Sequence, residues 1–292
     1  MRRGRAGPFA DGGGSVREGS FVVRFLYGTS LGRCLLNFIL RTGADRLAVK
    51  FLWSRASRPV VLWYARRHGI ELPPEQMRQY KTFREFFIRQ KDSIVVDGTP
   101  EHLISPCDGW LSVYPIREDN SFFIKGTVYR LNDLLEDEEL SIRYHGGVCL
   151  IFRLTPADYH HYIYFDDGYQ GENHFIPGSL HSVQSAACSV YPVYTLNRRM
   201  WTLLATEHFG PVIQTEVGAL VVGGIIPSRS DGRFCRGMEM GRFELAGSTI
   251  VLLFEKDRVH LRPHLAKALK ELGEIRVETG MWIGNTFKRW HT

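Results

Sequence analysis

Three short stretches of the chain set reactive side chains beside turn-forming residues. They are Ser105-Pro106-Cys107-Asp108-Gly109, Asp158-Tyr159-His160-His161 and Gly247-Ser248-Thr249. In that order they supply a carboxylate, an imidazole and a hydroxyl. These are the parts of an activated-serine system, in which the carboxylate orients the imidazole and the imidazole deprotonates the hydroxyl. Histidine suits the role of base near neutral pH. Two adjacent histidines on an extended segment point to opposite sides, so only one of His160 and His161 can easily enter a given site. The pair is also a weak metal signal, but no further ligand stands at metal spacing nearby, and no metal is expected. Taken singly, Asp108 reads as an Asx-turn and Gly247-Ser248-Thr249 as a glycine bulge with a capped turn.

The residues after Ser248 separate two kinds of serine chemistry. A serine hydrolase normally sets its nucleophile on a strand-to-helix elbow, Gly-x-Ser-x-Gly. Here no second glycine follows, and Ile250-Val251-Leu252-Leu253-Phe254 reads as a strand buried on both faces. Gly247 has no Cβ, so another group can approach its carbonyl, and the Ser248 hydroxyl follows that carbonyl directly. This favours a serine that attacks its own backbone, shifting the acyl group from nitrogen to oxygen.

Two kinds of element must position these residues. From Ile94 onward, β-rich runs alternate with Gly, Pro, Asn and Asp. The strand-like runs are Trp110–Tyr114, Ser121–Ile124, Gly147–Leu154, Tyr159–Phe165, Met200–Ala205, Val212–Val222 and Ser248–Phe254. Asn132–Glu139 reads as a short helix and Arg262–Leu272 as a clearer one. Before them, Phe21–Tyr27, Cys34–Leu40 and Leu47–Tyr64 are apolar-basic segments. In the last, Leu47, Phe51, Val60, Trp63 and Tyr64 are spaced for one helical face, interleaved with basic residues. Tyr80–Gln90 reads as one more short helix, with Phe83, Phe86 and Phe87 on one side. The expected fold is α+β: a mainly antiparallel β body with an N-terminal layer of basic amphipathic helices. We divide the chain into a flexible basic N-terminus (1–20), a helical region (21–92) and a β-rich catalytic domain (93–292).

The composition is globular, with 44% hydrophobic and 23% charged residues, which excludes a disordered or collagen-like chain. Residues 1–70 hold thirteen Lys/Arg against three Asp/Glu, or +10, while the whole chain is +6, so the other residues carry −4. One basic end on a mildly acidic body points to an anionic surface. Basic amphipathic helices suit the plane of an anionic membrane, although a packed helical cap or a nucleic-acid face would share the pattern. No stretch reaches 18 uninterrupted apolar residues, so no spanning helix is expected. Five scattered cysteines without a C-x-x-C pair fit a reducing compartment.

From about Tyr80 to Gly284 the sequence resembles the phosphatidylserine decarboxylases. The anchors are Thr82-Phe83-Arg84-Glu85-Phe86-Phe87-Ile88-Arg89, Ser105–Gly109, Lys125-Gly126 with Leu131–Leu135, and Pro156–His160. After these come Ile176-Pro177-Gly178-Ser179-Leu180, His208-Phe209-Gly210-Pro211, Glu216-Val217-Gly218-Ala219, Glu239–Phe243 and Gly247-Ser248-Thr249.

The resemblance implies that Ser248 attacks the Gly247 carbonyl and that the resulting ester is eliminated. The chain then parts into a large piece (1–247) and a small one (248–292), which stay associated, and a homodimer is allowed. Ser248 would become a covalent pyruvoyl group, whose ketone forms a Schiff base with phosphatidylserine and acts as electron sink for its decarboxylation to phosphatidylethanolamine. Asp108 and a histidine of the 158–161 motif would drive the self-cleavage, His160 first and His161 second, with His181 an outside candidate. Where many relatives carry a second histidine, three places after the first, this chain has Ile163; Leu-Gly-Ser-Thr is here Ala246-Gly247-Ser248-Thr249, with Leu245 displaced by one.

The implied enzyme is peripheral on the cytoplasmic face of the cell membrane, docked on anionic lipid and without a nucleic-acid partner. The competing readings are a pyruvoyl-dependent decarboxylase of a soluble amino acid, an unprocessed lipid-binding homologue, and an intact serine hydrolase that would react with a fluorophosphonate.

Overall fold

The computed structural model describes residues 21–287 apart from Gly43, Glu71, Asp92, Lys125, Gly126, Pro156, residues 220–223, Ala246 and Gly247. The basic N-terminus expected over 1–20, the anchor Lys125-Gly126 and the expected acyl donor Gly247 therefore lie outside the described residues.

Among the described residues six helices come first: α1 (Phe21–Gly28), α2 (Ser30–Thr42), α3 (Ala44–Trp53), α4 (Arg58–His68), α5 (Pro74–Gln79) and α6 (Phe83–Phe87). Leu47–Tyr64 is not one helical face. The α-helix stops at Trp53, a single 3-10 turn follows over Arg55–Ser57, and α4 restarts with Pro59 in its first turn. Proline is accommodated there because the first helical N–H groups lack intrahelical partners anyway. Gly69, at φ +64°, closes α4 in the left-handed conformation that favours glycine. α6 is started by Thr82, whose hydroxyl accepts from Glu85 N at 3.1 Å, while the Glu85 carboxylate accepts from Lys81 N at 2.6 Å. This variant of the capping box aims Phe83, Phe86 and Phe87 inward, and all three are buried.

The β body is built, among the described residues, from sixteen strands. In chain order they are β1 (His102–Ile104), β2 (Gly109–Pro115), β3 (Ser121–Ile124), β4 (Thr127–Arg130), β5 (Val148–Leu154), β6 (His161–Ile163), β7 (Gly168–Ile176) and β8 (Arg199–Thr206). Then follow β9 (Gly210–Val217), β10 (Gly224–Pro227), β11 (Gly232–Phe234), β12 (Glu239–Glu244), β13 (Ser248–Phe254), β14 (Val259–Leu261), β15 (Ile275–Val277) and β16 (Trp282–Thr286). Eight of them form the main sheet in the order β11-β7-β8-β9-β13-β5-β2-β15. Smaller sheets have the orders β1-β16-β14, β10-β12-β6 and β3-β4, and all the named strands pair antiparallel. The α+β expectation holds, with the β body mainly antiparallel. The helix expected over Asn132–Glu139 is two short ones, Leu131–Leu135 and Glu138–Ile142, parted by Glu136 at φ +54°.

β13 is the inner strand the sequence pattern implies. All seven of its residues are buried, and it pairs along its length with β5 on one side and β9 on the other. Alternate residues serve opposite faces of the sheet. Val251 and Leu253 join a core with Ile151, Ile213 and Trp201, covered by α1 and the segment 176–194. Ile250, Leu252 and Phe254 join a second core with Phe152, Phe209 and Tyr162. A third cluster, of Val61, Ala65, Phe83, Phe86, Phe87 and Leu245, fixes α4 and α6 to the end of the chain segment that enters β13.

Candidate active site

The strand registers bring the expected residues to one edge of the main sheet. β13 starts at Ser248, opposite Leu154, the last residue of β5. β2 starts at Gly109, opposite Val277, the last residue of β15, and Trp110 lies beside Arg153 of β5. Asp108, the segment 155–160 leaving β5, and Ser248 thus emerge from three neighbouring strands. Gly109 is required at its place, since at φ +153° a Cβ would stand 2.9 Å from the Arg153 carbonyl oxygen.

Asp108 is nearly buried and well supplied with donors. Lys91 Nζ lies 2.9 and 2.8 Å from its two oxygens. Thr279 donates to Oδ1 from both its main-chain N–H, at 2.9 Å, and its hydroxyl, at 2.8 Å. Tyr159 N lies farther away, at 3.4 Å from Oδ2. Burial by itself would raise the carboxyl pKa, but the Lys91 ammonium and the Thr279 bonds outweigh it and hold Asp108 below the ordinary carboxylate range. The neighbouring Asp158 accepts from Thr155 N and Oγ1 at 2.5 and 2.9 Å, and pairs with Arg276 of β15. It ties the 155–160 segment into a closed turn.

His160 is fully buried. Its Nδ1 lies 2.9 Å from the main-chain carbonyl oxygen of Asp158. A carbonyl only accepts, so Nδ1 carries the proton and Nε2 presents its lone pair. Nε2 is buried without a hydrogen-bond partner among the described residues. The ring lies against Phe87 of α6, with centroids 4.0 Å apart, and the His160 carbonyl accepts from Phe243 N of β12 at 2.9 Å. Desolvation lowers the imidazole to about 4, partly opposed by the Asp158 carboxylate. At neutral pH the group is therefore an uncharged base.

His161, the first residue of β6, goes elsewhere. Its Nε2 bonds the Ile88 carbonyl oxygen at 3.0 Å. Its Nδ1 stands 3.1 Å from Glu239 Oε2 without hydrogen-bond alignment. His181 lies among Tyr27 and Tyr191 in the first core, at the α1 side of the sheet.

Leu245 carries the chain toward Ser248 at φ +56°, while 1% exposed in the α4–α6 cluster. The left-handed conformation costs a residue with a Cβ about 1–2 kcal/mol, and burial of the leucine side chain holds it there. Ser248 itself is 1% exposed. Ser248 is thus sheltered from bulk water, and an uncharged imidazole and an ionised carboxylate come from the same edge of the main sheet.

A sequence profile described as phosphatidylserine decarboxylase matches residues 82–284. The chain belongs to the phosphatidylserine decarboxylase family. Phosphatidylserine decarboxylase proenzyme 2 of Clostridium acetobutylicum is 37% identical over 271 residues, covering 90% of this chain and 91% of its own. The proenzyme of Ruminiclostridium cellulolyticum is 36% identical over 275 residues, covering 87% and 92%. That of Desulfitobacterium hafniense is 31% identical, covering 93% and 94%. The likeness to these proteins thus extends N-terminal to the profile, into the helical region.

Sequence alone does not single out several residues of the site. Lys91, Thr279 and Arg276 lie outside the recognisable motifs and reach Asp108 and Asp158 only through the fold. Phe87 and Glu216 stand inside family anchors, but nothing local gives either a role. Glu216 is the more unusual. It lies opposite Ile250, and residues two apart on a strand share a face, so it is on the face of Ser248. It is fully buried; Oε1 accepts from Gln214 Nε2 at 2.7 Å, and Oε2 has no partner among the described residues. Burial raises it to about 8.

A carboxyl raised in the folded state ionises first in the unfolded chain. Its contribution to stability is therefore complete below about pH 4.5 and is lost as pH rises toward 8. Glu216→Gln keeps the volume and the acceptor for Gln214 but removes the titration. Thermal melts should show a smaller fall in Tm between pH 6 and pH 9 for the variant than for the wild type; parallel profiles would mean that Glu216 titrates as an ordinary carboxylate.

Proposed function

We propose that this protein decarboxylates phosphatidylserine to phosphatidylethanolamine and CO2 at a membrane surface, after cutting itself between Gly247 and Ser248. What supports the reading is that Ser248, an uncharged His160 whose Nε2 has no hydrogen-bond partner among the described residues, and an ionised Asp108 all come from strand ends at one edge of the main sheet, in a chain of this family.

In this reading His160 Nε2 takes the proton of the Ser248 hydroxyl as Oγ attacks the Gly247 carbonyl carbon. The bond from that carbon to Ser248 N breaks, and the nitrogen takes up a proton. Loss of the Ser248 α-proton then breaks the Cβ–Oγ bond, releasing residues 1–247 with a free carboxylate and leaving dehydroalanine at 248. This tautomerises to an imine, which water hydrolyses to the ketone with loss of the Ser248 nitrogen as ammonia. Asp108, held ionised by Lys91 and Thr279, stabilises positive charge arising on the imidazole side of the site. The main-chain carbonyl of Asp158 fixes which nitrogen of His160 acts as base.

A pyruvoyl group at residue 248 would supply the electron sink for the carbanion left by CO2. Burial of Ser248 at the head of an inner strand fits such a group, because a ketone there is screened from water and β13 stays clamped between β5 and β9. The helical region 21–92 serves as the docking surface, since a substrate with two acyl chains is costly to draw through water, at about 0.8 kcal/mol per CH₂. Among the described residues no helix is long and apolar enough to cross a membrane. We assign the enzyme to the cytoplasmic face of the bilayer.

The test is intact mass under denaturing conditions, combined with CO2 release from phosphatidylserine vesicles. The expected result is two pieces in place of one 33.5 kDa chain, with the smaller blocked at residue 248 and reactive to hydroxylamine. A whole, folded chain that still decarboxylates phosphatidylserine would overturn the mechanism. Activity on a free amino acid and not on vesicles would overturn the substrate.

The pH dependence of scission follows from His160. Its folded pKa, about 4, lies below the ordinary value, so the base is available throughout the neutral range. Chain made by cell-free translation and shifted to buffers from pH 4 to 8 should cleave at a rate that is flat above about pH 6. The rate should fall only as pH approaches 4. Stability moves in the same sense: the unfolded chain binds the His160 proton first, so stability is lost as pH drops from about 6.5 toward 4. A rate that climbs tenfold per pH unit between 5 and 7 would point to a different base.

A further inference from the structure

An apolar recess lies away from the strand ends, between α4 and α5, with a volume of about 640 Å³. That is within the range of sites for small organic ligands, about 300–1,000 Å³. On α4 the lining positions 58, 61, 62, 65, 66 and 69 repeat at three and four residues, the spacing of a single helical face. Val61, Leu62 and Ala65 make one wall, and Leu72 and Met77 face them. Arg58, Arg66 and Arg78 line the same recess and are all exposed. Among the described residues none of these guanidiniums has a hydrogen bond or ion pair, and no carboxylate lines the groove. Leu62, on its wall, is 49% exposed.

We propose that this groove binds one molecule of anionic phospholipid drawn from the bilayer, a non-reacting lipid distinct from the substrate. An acyl chain lies along Val61, Leu62, Ala65 and Met77, and the phosphate is held among Arg58, Arg66 and Arg78. Charge complementarity selects the occupant: three guanidiniums without a partner among the described residues match a phosphodiester, and the apolar walls match a hydrocarbon chain. None of the described lining residues is acidic, so none receives an ammonium and the headgroup need carry no amine, which separates this lipid from phosphatidylserine. The inference rests on residues 21–92 facing the bilayer. The groove is connected to the reactive edge, because Val61 and Ala65 pack in one cluster with Phe87 and Leu245.

The test is calorimetric titration of the purified protein with dihexanoylphosphatidylglycerol below its micellar concentration, with dihexanoylphosphatidylcholine and inorganic phosphate as separate probes. We expect saturable one-to-one binding of the first, at least tenfold weaker binding of the second and none of the third. A variant carrying Arg58→Ala, Arg66→Ala and Arg78→Ala should bind the first probe at least tenfold more weakly. Met77→Glu, which puts a like charge against the phosphate and a polar group on the wall, should weaken it too. Both variants should show unchanged chain scission by intact mass, so a failure of lipid binding and a failure of self-processing are read separately. Equal binding by wild type and the triple variant, equal binding of the choline lipid, or binding of phosphate alone would overturn the proposal.

Discussion

Ser248→Ala is expected to yield a single chain of 33.5 kDa with no release of CO2 from phosphatidylserine, measured on a denaturing gel and with carboxyl-labelled lipid. The substitution removes one oxygen from a side chain that is already 1% exposed, so it neither opens a large cavity nor adds bulk. The ladders of β13, seven pairs with β5 and six with β9, do not depend on the hydroxyl. The change should cost no more than about 1–2 kcal/mol of stability, and the variant should melt cooperatively near the wild-type temperature. Loss of scission in a folded chain then reports chemistry. If the alanine variant still splits ahead of residue 248, the hydroxyl is not the attacking group and the self-cleavage mechanism fails.

The second large effect is a contrast between neighbours. His160→Ala should slow scission by about 10²–10⁴, the usual contribution of a positioned general base, whereas His161→Ala should leave scission within severalfold of wild type. The reason is where each ring is committed. His160 has one nitrogen on a carbonyl and the other without a partner among the described residues, while His161 spends Nε2 on the Ile88 carbonyl and sets Nδ1 beside Glu239. His160→Ala also removes a ring packed on Phe87, so its melting temperature must be measured beside its rate. His160→Gln, which fills more of the space but is not a base, should be as slow as alanine and more stable. The reverse pattern, with scission lost in His161→Ala and kept in His160→Ala, would move the base by one residue.

Much of this site is legible in the amino-acid sequence, and the reasons differ by residue. β13 and β3 coincide with the expected runs Ser248–Phe254 and Ser121–Ile124, because a strand buried on both faces or bounded by turn residues announces itself by composition. Leu47–Tyr64 misleads because its apolar spacing continues across Ser54–Ser57, where hydrogen bonds from the Ser54 and Ser57 hydroxyls to the carbonyls of Phe51 and Leu52 end one helix before the next begins. Glu136 breaks the expected helix over 132–139 by taking a left-handed angle that its residue type does not advertise. The candidate reactive groups could be picked out from motif order. Their support could not: Lys91 and Thr279 approach Asp108 from 17 and 171 residues away, Thr279 through the pairing of β15 with β2 and Lys91 from the segment that follows α6. His160's lone-pair nitrogen is likewise a product of burial and of one carbonyl, neither of which spacing reveals.

The clamped position of β13 has a consequence for the life of the molecule. A cut at the head of an inner strand leaves the smaller piece threaded between two partners from the larger one, with no covalent tether. Before the cut, recovery from denaturant is a first-order search by one chain. Afterwards it becomes an encounter between two, whose yield falls with dilution. If the chain cuts itself ahead of residue 248, maturation is a one-way gate: the enzyme would gain its reactive end and give up the ability to rebuild itself alone, and its working lifetime would be set by how slowly that strand slips out.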